Sequence, residues 1–75
     1  MKRYYEFFST MDNGEKEYFI FDVTQISLMH HYESEGAHGK TTIRYGIYQY
    51  NFSGRNNKTI YDEIRTIMRQ LETTE

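Results

Sequence analysis

Few side chains in this sequence could do chemistry. The histidines are His30, His31 and His38, the first two adjacent. Neighbouring residues on a strand point to opposite faces, so His30 and His31 cannot easily chelate one ion. There is no Cys, and no Asp or Glu stands at ligand spacing from the histidines. A metal site needs a closed ligand set, so neither metal nor cofactor is expected. Glu33 and Glu35 could form a carboxylate pair, but two residues apart at a strand end they read as a solvated edge. Ser53-Gly54 lies in a polar turn, outside any nucleophile-elbow pattern. Nucleophilic catalysis also needs a base and an orienting group within reach. No catalytic residue is assigned, and a non-enzymatic chain is expected.

Two other groups of residues could bind rather than react. Gly54, Arg55 and Lys58 precede a helix, and helix N-termini attract anions. The phosphate cradle Gly-x-x-x-x-Gly-Lys-Ser/Thr is absent, so the segment reads as a capped helix entry. Arg44, Tyr45, Tyr48, Tyr50, Arg55 and Lys58 offer a thin version of a stacking, basic strip for single-stranded nucleic acid. Phosphate-driven affinity needs several clustered cations. Here 9 basic residues face 11 acidic ones, for a net charge of −2, and the pI is about 5.9. The favoured reading of these rings is a core beneath the helix.

The elements that must position these residues follow from periodicity. Residues 3–9 are aromatic and β-favouring, a first strand. Asn13-Gly14 marks a turn. Residues 17–24 form a second strand, with Phe19, Phe21 and Val23 on one face and Tyr18 and Ile20 on the other. Apolar residues on both faces suggest a central strand or a sheet covered on both sides. Residues 25–34 alternate as a half-buried strand, with Ile26, Leu28, His30 and Tyr32 sharing one face and Ser27, Met29, His31 and Glu33 the other. Residues 35–40 read as a mobile loop. Residues 41–53 are strand-like, but the apolar parity switches near Gly46. A β-bulge inside one strand is the favoured reading; a tight Tyr45-Gly46 hairpin turn is the other.

The C-terminal part reads as one amphipathic helix over residues 59–72. Thr59 is its expected N-cap, with Asp62 and Glu63 in the first turn. Ile60, Ile64, Ile67 and Leu71 fall on one stripe with Met68 alongside. The tail Thr73-Thr74-Glu75 is expected to fray.

At 75 residues this is one domain, 1–75. Ile, Val, Leu and Phe make up a fifth of it, while Tyr alone contributes eight residues. The small core must therefore lean on aromatic rings, and cores of this size often gain stability from association. No apolar run approaches the roughly 20 residues of a membrane span. Glu6 interrupts the apolar start, and no cleavage site follows, so a cytoplasmic chain without a signal is expected. Asn51-Phe52-Ser53 and Asn57-Lys58-Thr59 match the glycosylation pattern by chance on that reading.

Residues 20–71, through Ile26, Ile43 and Ile64 to Leu71, resemble the hydrophobic spacing of the swarming-motility FlbD-like proteins and of part of the LytTR DNA-binding domain. FlbD-like chains usually carry Asn-Gly where Tyr45-Gly46 stands here, together with a Pro-Asp-Thr stretch absent here. LytTR domains are longer and basic. The likeness implies no function.

The expected fold is α+β: a small two-layer domain, an antiparallel meander of four strands, or five, with one C-terminal amphipathic helix on one sheet face. One helix covers only one face. Tyr4, Phe8, Tyr18, Ile20, Met29 and His31 are the candidates for the uncovered one. A one-residue register error would move the whole set. Exposed aromatics favour protein contacts. The expectation is a protein-binding module, a small accessory, adaptor or inhibitor protein of bacterial or phage type. It would dock through that face or a sheet edge onto another protein or itself; a homodimer is plausible. A single-stranded nucleic-acid binder is the alternative.

Overall fold

A computed structural model describes residues 3–11, 13–33 and 38–73. It is an α+β arrangement of two antiparallel sheets and one helix. Strands β1 (Tyr4–Thr10) and β2 (Lys16–Asp22) form a two-stranded ribbon. A short 3-10 turn (Val23–Gln25) leads into β3 (Ile26–Tyr32), β4 (Lys40–Tyr45) and β5 (Tyr48–Phe52), a three-stranded meander. Helix α1 runs Asn57–Glu72.

The single four- or five-stranded meander is thus corrected to a ribbon plus a meander. The break comes at Asp22. Its carboxylate accepts from Thr24 N–H and from the Thr24 hydroxyl, an Asx-type bond that turns the backbone out of the strand. Val23 then drops into the core. β2 is accordingly not a central strand, and the outer face of the ribbon meets solvent. The Asn13-Gly14 turn is present: Gly14 N–H bonds to Met11 O at 2.9 Å and Glu15 N–H to Asn13 Oδ1 at 3.0 Å.

The parity switch at Gly46 is a hairpin, not a bulge. Tyr45 pairs with Tyr48, so the loop is Gly46-Ile47, one residue later than the Tyr45-Gly46 alternative. Gly46 has φ 62° and, among the described residues, no non-Gly residue has positive φ, the pattern of a type II′ turn with glycine first. A bulge does occur, in β3. Ile26 faces Tyr45 and Leu28 faces Arg44, leaving Ser27 as the extra residue. That extra residue shifts the strand's alternation by one. Met29 and His31 therefore turn inward, while Leu28, His30 and Tyr32 face solvent.

The helix starts at Asn57, two residues before the expected Thr59 entry, with Asn56 at the N-cap position and no side-chain cap bond. Asp62 and Glu63 consequently lie beyond the first turn. The expected apolar stripe holds: Ile60, Ile64 and Ile67 are buried, with Met68 and Leu71 packed at its margin.

The core joins three surfaces. The ribbon's inner face gives Tyr5, Phe7, Phe19 and Phe21; the meander gives Ile43, Tyr45, Tyr50 and Phe52; the helix gives its isoleucines. Rings stitch ribbon to meander: Phe7–Phe52 at 5.3 Å, Phe19–Phe52 at 5.2 Å and Phe21–Tyr45 at 4.8 Å between centroids. These separations suit tilted and edge-on aromatic contact. The loop expected over residues 35–40 and the fraying tail fall partly outside the described residues.

Candidate docking surface

Even-numbered residues of β1 and β2 share the ribbon's outer face. The register sets Phe8 against Tyr18, Glu6 against Ile20, Tyr4 against Asp22 and Thr10 against Lys16. Met11 N–H to Glu15 O and Val23 N–H to Arg3 O fix the odd positions as the hydrogen-bonded pairs. The outer pairs are therefore the non-hydrogen-bonded ones, whose side chains approach most closely. Phe8 and Tyr18 rings sit 6.0 Å apart. Large apolar side chains nonetheless remain open there: Tyr18 is 70% exposed, Ile20 61%, Tyr4 52% and Phe8 40%.

Charge rims this face. Lys16 Nζ stands 4.7 Å from the Phe8 ring centroid and Arg3 Cζ 5.4 Å from that of Tyr4, both within cation–π range. Arg3 also donates to Asp22, through Nε at 3.3 Å and through Nη2 at 2.5 Å. Those bonds, with those from Thr24, hold the Asp22 carboxyl down at about 2.

Four of the six expected face residues are thus together: Tyr4, Phe8, Tyr18 and Ile20. Met29 and His31 are not among them. Met29 packs on the core, and the His31 side chain is only 7% exposed. The six residues of the nucleic-acid strip are scattered. Tyr45 and Tyr50 lie against Phe21, beneath the ribbon rather than the helix. Arg44 is on the opposite sheet face, exposed beside Gln49. Tyr48 is largely open to solvent. Arg55 sits in the turn before the helix, and Lys58 pairs with Asp62 at 3.2 Å.

A buried polar cluster went unread in the sequence. His31 Nδ1 lies 2.8 Å from Thr41 Oγ1, and His31 Nε2 lies 3.4 Å from Glu33 Oε1. Thr41 Oγ1 is in turn 3.0 Å from both Asn57 O and Asn57 Oδ1. Hydroxyl, imidazole and carboxylate in sequence resemble a nucleophile, base and orienter. Thr41 is fully buried, however, and its one proton is directed to Asn57. With that proton committed, Thr41 accepts from His31 Nδ1–H. The cluster clamps the helix entry to β3 and β4. Asn57 completes it, its amide donating to His38 O, Gly39 O and Gly54 O. A buried Asn57 also closes the second glycosylation pattern to modification in the folded chain. The spacing of Thr41 and Asn57 carries no periodic signal, so only the polar run before the helix hinted at a cap.

Among the described residues, no group of three His, Cys, Asp or Glu is placed to hold a metal ion, and no helix is long and apolar enough to cross a membrane. No protein-family model matches the chain, and comparison with curated proteins and with solved structures finds no match.

Proposed function

We propose that this chain is a non-enzymatic protein-binding module, an adaptor- or inhibitor-like accessory protein, that docks through the outer face of the β1–β2 ribbon. One observation carries the reading. Tyr4, Phe8, Tyr18 and Ile20 lie exposed on one face, with Glu6 between Tyr4 and Phe8; among the described residues no element covers it, and Arg3 and Lys16 border it. Exposed apolar patches with a polar rim mark interaction sites, and tyrosine serves well at them because its ring buries while its hydroxyl stays wet.

The test compares affinity capture from the source lysate by wild type, Tyr18→Asp and Tyr32→Asp, with nuclease and at two salt concentrations. Tyr32 is exposed on the other sheet. The reading expects a stoichiometric protein that Tyr18→Asp loses and Tyr32→Asp keeps. A partner held equally by all three chains would place docking elsewhere. Recovery of nucleic acid at low salt, lost at high salt, would favour the alternative. Circular dichroism checks that Tyr18→Asp keeps its helix.

A further inference from the structure

We propose that the ribbon's occupant is a second copy of this chain. Two β2 edges pair antiparallel about a two-fold axis at Phe19, joining two ribbons into one four-stranded sheet. This goes beyond the docking reading above: it gives a partner to the ribbon's free β2 edge and leaves the outer face open.

The free edge comes first. Odd positions of β2 bond to β1, so the N–H and C=O of Tyr18 and Ile20 point away from it. Among the described residues none of these four groups has a hydrogen-bond partner. The opposite edge of the ribbon is obstructed, because Asn56 Nδ2 donates to Phe8 O at 3.1 Å. An exposed row of unpaired main-chain groups is a template for another strand.

The side chains then select register and partner. β2 reads Lys-Glu-Tyr-Phe-Ile-Phe-Asp over residues 16–22. Outward groups lie at even positions, so even residues must face even residues. Centred on Phe19, Tyr18 faces Ile20 of the second copy, and Lys16 faces its Asp22. An aromatic stands against a β-branched residue, a favourable cross-strand pair, and Lys16 brings a second cation to the Asp22 carboxylate that Arg3 and Thr24 already bond. Centring on Tyr18 sets Lys16 against Ile20. Centring on Ile20 sets Asp22 against Tyr18. Among these outer-face pairs only the Phe19 centre matches both charge and polarity, while on the inner face it sets Phe19 against Phe19 and Glu17 against Phe21; a two-fold axis satisfies both copies at once. Tyr18 and Ile20 exchange two bonds in each of two symmetry-related pairs. Pairing stops at Asp22, whose N–H already bonds the Tyr45 hydroxyl at 3.1 Å. On the outer face Phe8, Tyr18 and the second copy's Ile20 become one row. The edges of β3 and β5 carry no such pairing of opposite charges around an apolar centre.

The experiment is light scattering on the full chain from micromolar to millimolar concentration, with amide exchange read at Tyr18 and Ile20. The expected mass rises from 9.1 kDa toward twice that value, and both amides slow as concentration rises. Ile20→Lys and Lys16→Glu should each weaken association at least tenfold, and Tyr32→Lys should leave it unchanged. A monomer at every concentration overturns the proposal. So does a dimer whose Tyr18 and Ile20 amides exchange as fast as in dilute solution, or one lost in Tyr32→Lys but kept in Ile20→Lys. If a variant loses its helix signal, the wild-type exchange data decide alone. A wild-type monomer that still captures a protein in a Tyr18-dependent way sinks self-pairing but keeps the docking reading; failure of both sinks both.

Discussion

Asn57 anchors the helix entry as a single side chain. Its amide reaches three carbonyls and its Oδ1 faces the Thr41 hydroxyl. Each buried group left without a partner costs about 1–3 kcal/mol. Asn57→Ala should therefore lower stability by at least about 2 kcal/mol, read as a fall in the urea midpoint at unchanged slope. The charged groups make pH predictions of opposite sign. The Asp22 carboxyl, ordinarily near 3.8, is held at about 2 by Arg3 and Thr24. A depressed carboxylate stabilises above its ordinary value, and the contribution fades as pH falls through the folded one. The stability gap between wild type and Asp22→Asn should narrow from pH 4 toward pH 2. Tyr5 behaves in the other direction. Burial first, then its hydroxyl bond to Glu63, raises it above the ordinary 10.0. Its contribution is present below that value and lost above it, so stability measured at rising alkaline pH should drop less steeply in Tyr5→Phe than in wild type. Thr41 and Asn57 were illegible in sequence for a physical reason. A polar residue in a polar turn looks the same whether its amide meets water or three carbonyls.

Turn chemistry decides the element scale. Gly39 and Gly46 both have positive φ, at 76° and 62°. Their surroundings differ. A Cβ on Gly39 would lie 2.1 Å from Tyr32 O, whereas one on Gly46 would meet nothing within 4 Å. Gly46→Ala should cost only the left-handed backbone strain, about 1–2 kcal/mol. Gly39→Ala adds a backbone clash, so β3 or β4 must move, and its urea midpoint should fall well below that of Gly46→Ala. Equal losses in the two variants would contradict this account. Parity placed Tyr4, Phe8, Tyr18 and Ile20 correctly because β1 and β2 are regular and of equal length. It misplaced Met29 and His31 because one inserted residue, Ser27, inverts everything after it. Ser27 is polar on a strand of mixed polarity and looks like an ordinary outward position. A hairpin was legible only as the less favoured reading, and one residue early at Tyr45-Gly46, since a glycine and a parity switch fit a bulge as well as a turn. The body of the helix was legible because its stripe of isoleucines repeats over several turns; its entry was not, since it starts at Asn57, ahead of the first isoleucine.

The two sheets make one molecule chiefly through rings. The solvent-accessible area is 5592 Å², against about 4,900 Å² for a compact chain of this mass. The excess fits the open outer face of the ribbon and the 42 × 26 × 22 Å outline. A chain of 75 residues has on the order of 4–11 kcal/mol of stability in all. Truncating a buried phenylalanine costs about 3–5 kcal/mol. Phe21 touches both Tyr45 and Tyr50 and lies at the ribbon–meander junction. Phe21→Ala should thus remove about a quarter or more of the total, and at the lower end leave the chain largely unfolded. Ile47 tests the opposite limit, since it is 91% exposed at the tip of the β4–β5 hairpin. Ile47→Ala should change stability by no more than about 0.5 kcal/mol. Thermal melts of both variants measure this contrast. A Phe21→Ala chain as stable as wild type would mean that the ribbon is held by its own ladder rather than by the meander. The aromatic junction would then not be what unites the fold.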